Sequence, residues 1–269
     1  MPQTSIRLDR WLALLAFGSR SEVRELIRDG RISVNSLPVR DASAVCSPER
    51  DILAIDGCET DGRLQRHIML NKPAGVLTAA RDPAQTTVMD LLPPVFRSLG
   101  CMPVGRLDKD TTGLLLLTCD GEMAHRLLSP SRGIVKVYRA EVTGIPDARD
   151  ITAFERGLEL SDFTALPSKL SVIAASRSSS LVEITVTEGR FHQVKRMLDA
   201  VGHTALSLDR ISFGPLRLDK SLAQGAWREL APEELTALRR AVGLETAQEQ
   251  TPQNETGILR QDPPLCEQP

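Results

Sequence analysis

The chain reads as an α+β protein, a small helical module followed by a larger domain with a mixed, mainly antiparallel sheet flanked by helices. Three observations carry that expectation. From Ser5 to Gly57 the pattern runs helix, helix, strand. From His67 onward the strand candidates "HIMLNKP", "GLLLLT", "KVYRAEVTG" and "SLVEITVTEG" follow one another with only two clear helical stretches, at 122–128 and 191–201. Short connections of that kind suit antiparallel pairing better than the repeated crossover helices of a doubly wound parallel sheet. Finally, 269 residues at 41% hydrophobic content are enough for two cores.

The elements of the first module are each signalled locally. Leu8, Trp11, Leu12 and Leu15 fall at i, i+3, i+4, i+7, the apolar stripe of an amphipathic helix. Ser19 with Glu22 has the form of a capping box opening a second helix, and Gly30 supplies the residue that ends it. At ~100° per residue, Arg20, Arg24 and Arg28 share one face of that helix, away from Glu22, Glu25 and Asp29. By itself such a stripe reads as a solvated charged face. "RISVNS" then alternates as a strand ending in a turn at Asn35-Ser36, and "DILAIDG" is a second strand closing at Gly57. The polar segment that follows reads as a linker at 59–66.

Composition excludes some classes. The net charge is −2, but the segment from Leu244 onward holds five acids and one arginine, leaving the rest of the chain slightly basic, so bulk charge does not argue against a nucleic-acid partner. Five cysteines without C-x-x-C spacing indicate neither a zinc ribbon nor a disulfide framework and suit a reducing, cytoplasmic setting. No apolar run approaches the ~18 residues of a membrane span, and no signal peptide is evident. The absence of a Walker-type glycine loop argues against ATP-driven chemistry. The segment 243–269, rich in Gln, Glu, Pro and Thr, is expected to be disordered.

The most informative stretch is "GRLDKDTTGLLLLTCDG", residues 105–121. Leu114 to Leu117 is a strand-length apolar run, and Gly113 marks a close backbone approach where it begins. Asp108 and Asp110 therefore sit at the lip of a buried strand. From residue types alone they read as turn-capping residues, as part of a reacting site, or as two metal ligands lacking a third at ligand spacing. The only tyrosine, Tyr138, shares a strand face with Lys136 and Ala140 and reads as a core residue. In "TEGRFHQVKRMLDAVGH" a strand ends at Glu188-Gly189, and Phe191, Val194, Met197, Leu198 and Val201 form a helix stripe with Lys195 and Arg196 on its first turns.

"RLDRWLA", "SRSEV" and "GRISVN" together resemble the S4 (αL-type) RNA-binding domain, over about residues 1–58. "LNKPAGVLTA", "GRLDKDTTGLLLLTCDG", "KVYRAEV" and "EGRFHQVKRM", in this order, resemble the motifs of pseudouridine synthases of the small-subunit ribosomal RNA type, with a catalytic domain over 67–242. The resemblance implies an enzyme without metal or cofactor that isomerises one uridine of small-subunit (16S) ribosomal RNA, acting as a monomer. It places the nucleophilic aspartate on Asp108, the tyrosine that packs against the base on Tyr138, and the cation that pairs with the aspartate on Lys195. Arg106, Arg190, His192, Gln193 and Arg196 become RNA contacts. In the S4 module Arg7, Arg10, Arg20, Arg24, Arg28 and Arg31 are the phosphate-facing candidates. Relatives commonly carry histidine where "SLDRISFG" has Asp209. The alternatives are the same chemistry on large-subunit (23S) RNA and a non-catalytic RNA-binding assembly factor.

Overall fold

The computed structural model describes residues 5–244, which divide in sequence between Leu64 and Gln65 into two compact units. In the first, β1 (Ile6–Arg7) leads into α1 (Leu8–Leu14) and α2 (Arg20–Arg28), followed by β2 (Ile32–Val34), β3 (Leu37–Pro38), β4 (Val45–Cys46), β5 (Leu53–Ile55) and β6 (Cys58–Thr60). β1 pairs with β4, and the other strands form an antiparallel sheet in the order β3-β2-β5-β6. Leu8, Trp11 and Leu12 are fully buried, as their spacing predicts. The capping box is present: Glu22 N donates to Ser19 Oγ and Ser19 N donates to Glu22 Oε2. Asn35-Ser36 and Asp56-Gly57 both take positive φ and form two-residue turns that match the twist of the flanking strands.

The expected linker at 59–66 is structured at both ends. β6 occupies its start, the Trp11 indole donates to the Gly62 carbonyl at 2.8 Å, and the buried Arg66 guanidinium pairs with Glu229 at 2.5 Å. Backbone pairing and a buried aromatic partner hold a sequence that composition alone marks as loop.

The second unit carries β7 (His67–Lys72), α3 (Pro94–Ser98), β8 (Met102–Pro103), β9 (Thr112–Thr118), α4 (Gly121–Leu128), β10 (Lys136–Thr143), α5 (Ala148–Arg156), β11 (Lys169–Ala175), β12 (Ser179–Val186), α6 (Gln193–Ala200), β13 (Ala205–Phe213), β14 (Leu216–Arg217), β15 (Trp227–Glu229) and α7 (Pro232–Ala241). Its sheet runs β11-β12-β10-β13-β9-β7-β15, with β14 on β13 and β8 on β9. Only β13–β9 is parallel, so the sheet is mixed and mainly antiparallel. The four-leucine run is buried on both faces. Leu115 and Leu117 join one apolar cluster with Ile68 and Leu70, while Leu114 and Leu116 join the other with Met69, Met123 and Phe213.

Several elements escape the periodicity argument. β13 is the longest strand among the described residues, but Asp209-Arg210 interrupts its apolar alternation with an arginine that is buried and donates through Nε to the Leu114 carbonyl of β9. α5 opens with an Asp147/Asp150 box in place of the usual Ser/Thr and Glu. The C-terminal helix pattern expected at 191–201 begins only at Gln193, because His192 adopts a left-handed conformation, φ 49° and ψ 28°, as its N-cap. Phe191, expected in the buried stripe, is 74% exposed.

The cysteine reading also needs correction. Cys101 and Cys119, at the ends of the paired β8 and β9, are joined by a disulfide that their 18-residue separation in sequence does not announce. The tail expected at 243–269 lies, from residue 245 on, outside the described residues. Among the described residues no helix is long and apolar enough to cross a membrane, and no three His, Cys, Asp or Glu side chains gather to hold a metal ion.

Candidate active site

Asp108 stands in the loop between β8 and β9, and that loop is fixed from below by a fully buried lysine. Lys72, at the end of β7, donates through Nζ to the carbonyls of Pro73, Asp108, Lys109 and Thr111 at 2.9–3.2 Å. An ammonium enclosed by carbonyl oxygens holds the turn with charge-assisted bonds. Burial pushes this lysine down to about 8, the charges of Asp110 and Asp108 opposing the fall. Thr78 adds a reciprocal pair with Leu107, donating to its carbonyl at 2.7 Å and accepting from its N–H at 3.2 Å, and Gly75 N donates to the Lys109 carbonyl at 2.8 Å. Gly113 follows with φ 98°, and a Cβ there would overlap both the Asp209 carboxylate and the Arg210 carbonyl, so the parallel β9–β13 contact requires glycine.

One cavity of about 130 Å³ collects Asp108, Tyr138, Arg106, Arg190, His192 and Gln193, six of the residues singled out in sequence. It exceeds the ~15 Å³ that a single water needs, so it has room for a larger guest. Asp108 is one-quarter exposed, and Tyr138, 8% exposed on β10, faces both the cavity and the core cluster. The core reading and the site reading of Tyr138 therefore describe the same side chain.

The charges around Asp108 differ from the simple pair. Lys195 Nζ lies 3.9 Å from Asp108 Oδ2 but 2.5 Å from Asp110 Oδ1. Asp110 is thus the nearer partner, and the hydrogen bond from Lys195 holds its carboxyl below the usual range. His192 Nε2 is 3.5 Å from Asp108 Oδ1, within reach of the carboxylate. The expected contact of Lys195 with Asp108 is present at the longer distance, and the ammonium lies between two carboxylates.

Two expected RNA contacts also bond within the protein. Gln193, in the cavity wall, is buried, accepting from Arg190 N at 2.9 Å and donating to Glu188 Oε1 at 2.7 Å, and so shapes the loop. Arg196 pairs with Asp162, donates to Ser161 at 3.0 Å and lies over the Phe163 ring. Arg190 covers the same ring, its guanidinium carbon 4.5 Å from the centroid. Arg106 is exposed. Asp209 accepts from Thr112 Oγ1 at 2.9 Å and so ties β13 to β9. Sequence reasoning missed Lys72, Lys136 and Arg210, and for Lys136 the available signal was its place two residues before Tyr138 on one strand face.

In the first unit, buried Asp9 holds two of the candidate arginines, Arg7 at 3.1 Å and Arg24 at 3.3 Å. The hydrogen bond from Arg7 keeps the Asp9 carboxyl below its ordinary value. Arg28 pairs with Glu25 and Asp29 of its own helix, against the sorting inferred from angles, and Arg31 pairs with Asp56. Arg10 and Arg20 are exposed, with no ion pair among the described residues.

Comparison with known proteins places these features. Residues 66–200 match the family model for RNA pseudouridylate synthase, and residues 6–52 match the S4 domain. The chain belongs to the RNA pseudouridylate synthase family and carries an N-terminal S4 domain. It is 39% identical to an uncharacterised RNA pseudouridine synthase of Bacillus subtilis, over 87% of this chain and 98% of the relative. It is 38% identical to ribosomal small subunit pseudouridine synthase A of Pseudomonas aeruginosa, over 87% of this chain and all of the relative, and 35% identical to ribosomal large subunit pseudouridine synthase B of Bacillus subtilis, over 87% and 95%. A crystal structure of a pseudouridylate synthase superposes with a TM-score of 0.60 at 31% identity, covering 87% of this chain and 99% of that one. The chain is therefore an RNA-modifying isomerase in class.

Proposed function

We propose that this synthase isomerises a uridine of small-subunit ribosomal RNA, with Asp108 as its nucleophile or base and no cofactor. The observation that carries the assignment is the position of Asp108 at a cavity mouth, on a loop caged by Lys72, with Tyr138 in the same cavity. Isomerisation breaks the N1–C1′ bond, turns the base and forms a C5–C1′ bond, with the C5 proton lost and N1 protonated. No electrons are gained or lost overall. An ionised carboxylate serves either route, attacking C1′ or removing the C2′ proton. Because the reacting atoms of a stacked uridine are out of reach, the nucleotide must be extruded, at a cost of a few kcal/mol that phosphate contacts and the pocket offset. Tyr138 supplies a flat apolar wall for the base, Lys195 lies beside Asp108 and holds the Asp110 carboxyl low, and Arg106, Arg190 and His192 line the cavity.

Small-subunit RNA is favoured by the full-length match to the Pseudomonas aeruginosa small-subunit enzyme. The large-subunit relative from Bacillus subtilis, at nearly equal identity, keeps large-subunit RNA as the second reading. The test is to incubate both RNAs, bare and with ribosomal proteins, with wild type and Asp108→Asn, and map pseudouridine by carbodiimide adducts and primer extension. A single stop in small-subunit RNA that the variant lacks is the expected result. Stops confined to large-subunit RNA overturn the substrate assignment, and binding without any stop favours an assembly factor.

A further inference from the structure

Among the described residues, two cations of the cavity, buried Arg210 and partly buried Lys136, have no ion-pair partner. Arg210, on β13, is 2% exposed. Its Nε donates to the Leu114 carbonyl at 2.8 Å, while its Nη2 has no hydrogen-bond partner among the described residues. Lys136, on β10, lines the same cavity and donates through Nζ to the carbonyls of Ile134 at 2.8 Å and Thr187 at 3.3 Å, leaving one of its three donors open. Among the described residues neither is in an ion pair, and both lie over the buried Phe213 ring, 5.0 Å for the guanidinium carbon and 5.9 Å for the ammonium, where the π face favours a cation. A buried guanidinium with an unused donor is costly unless a ligand completes it.

We propose that Arg210 and Lys136 form an anion subsite that takes the negative charge of the uracil released when its bond to the ribose breaks; this rests on the cavity being the uridine site. By either route the N1–C1′ electron pair departs with the base. If a carboxylate attacks C1′, an ester forms as that bond breaks. If the C2′ proton is removed, the C–H pair becomes the C1′–C2′ double bond. The freed uracil carries the charge over N1, O2 and O4, and two fixed cationic donors facing it stabilise that state more than neutral uridine, which is how preorganised donors accelerate a step. Holding the carbonyl oxygens also keeps the base in place while it turns to present C5.

Burial, and then the neighbouring Arg210 charge, pushes Lys136 down to about 8, against the pull of Glu188. The charged groups sharing its cavity are Arg210 from β13, Arg106 and Asp108 from the loop before β9, and Glu188, Arg190 and His192 from the segment between β12 and α6. A subsite needing the ammonium is intact below about 8 and fails as pH rises through that value. Replacement by arginine keeps the charge and moves the failure to higher pH.

The experiment measures single-turnover rates from pH 6.5 to 10, and RNA affinity as a function of salt, for wild type, Lys136→Met, Lys136→Arg and Arg210→Lys, on the RNA that wild type modifies. The expected result is a roughly 100-fold slower step for Lys136→Met at neutral pH, the scale on which removal of one transition-state donor acts. Its RNA affinity and salt dependence stay as in wild type, and because Lys72 is also held near 8, the alkaline limb loses only the Lys136 step, so that Lys136→Met and Lys136→Arg both keep the shallower limb of Lys72. Should Lys136→Met not fold, as judged by its melting curve, the limb of Lys136→Arg decides. A limb as steep in Lys136→Arg as in wild type, or a Lys136→Met rate within about twofold of wild type, overturns the subsite. A weaker affinity with a salt slope shallower by about 0.7 and an unchanged saturating rate would instead assign the pair to a phosphate. Failure of wild type itself on every RNA refutes the enzymatic reading, a different outcome from any of these.

Discussion

Lys195 sits between two carboxylates, and its distances decide which of them it serves first. At 2.5 Å from Asp110 and 3.9 Å from Asp108, the ammonium is held by the exposed acid and borrowed by the half-buried one. Attraction across 4 Å at a partly solvated site is worth only ~1–4 kcal/mol before desolvation is subtracted. A nucleotide entering the cavity would displace water and strengthen the longer contact. Removing Asp110 should leave Lys195 free to swing to Asp108, so Asp110→Asn is expected to keep most activity, within about threefold, whereas Lys195→Ala should lower single-turnover rates by about 100-fold, a typical scale for loss of one positioned charge. Rates for the two variants on the same RNA check this. Equal losses would show that the Asp110 contact is itself required. At this scale the motifs are enough to expect Asp108, Tyr138 and Lys195 near one another, and the structure has Asp108 and Tyr138 in one cavity with Lys195 beside Asp108, but the capture of the lysine by Asp110 depends on loop geometry that the sequence does not display.

At the level of elements, the β8–β9 loop is built from outside itself. Lys72 belongs to β7, Thr78 to the segment after it, and Asp209 to β13, yet together they fix the path from Leu107 to Gly113. Long-range contacts of this kind leave no periodic trace, which is why Lys72 went unread although "LNKP" was recognised. Lys72→Met should leave four carbonyls short of a donor and cost ~2–4 kcal/mol of stability, by analogy with other buried charged hydrogen bonds broken from one side. It should also slow catalysis, because the carbonyl of Asp108 is among those released. Thermal unfolding and single-turnover kinetics measure both, and a melting point within a degree of wild type would deny Lys72 this role. α6 teaches a related lesson. Its buried Val194, Met197 and Leu198 were plain from spacing, but the left-handed His192 that ends the approach and exposes Phe191, stacked on its ring at 3.9 Å, is a backbone choice that hydrophobic patterning cannot register.

For the whole molecule, two units carry two kinds of recognition. The first offers arginines that on our proposal meet phosphate without reading sequence, some pre-oriented by the buried Asp9 and some, Arg10 and Arg20, exposed and without an ion pair among the described residues. The second offers the cavity that on our proposal takes one extruded nucleotide. The α+β class, the helix-helix-strand module and the mixed sheet were readable because hydrophobic period, capping boxes and turn residues all pointed one way. The strand in the expected linker, the Asp209-Arg210 strand and the Cys101–Cys119 link were not, since each rests on a partner distant in sequence. The proposed isomerisation depends on Asp108 acting at the ribose so that uracil is freed to rebond through C5. RNA carrying tritium at C5 of its uridines tests this most directly, because rebonding through C5 releases that hydrogen to water. Wild type should release tritium up to one uridine per RNA, and Asp108→Asn should bind the RNA with unchanged affinity and release none above background. Release by Asp108→Asn at the wild-type rate would contradict the assignment of Asp108.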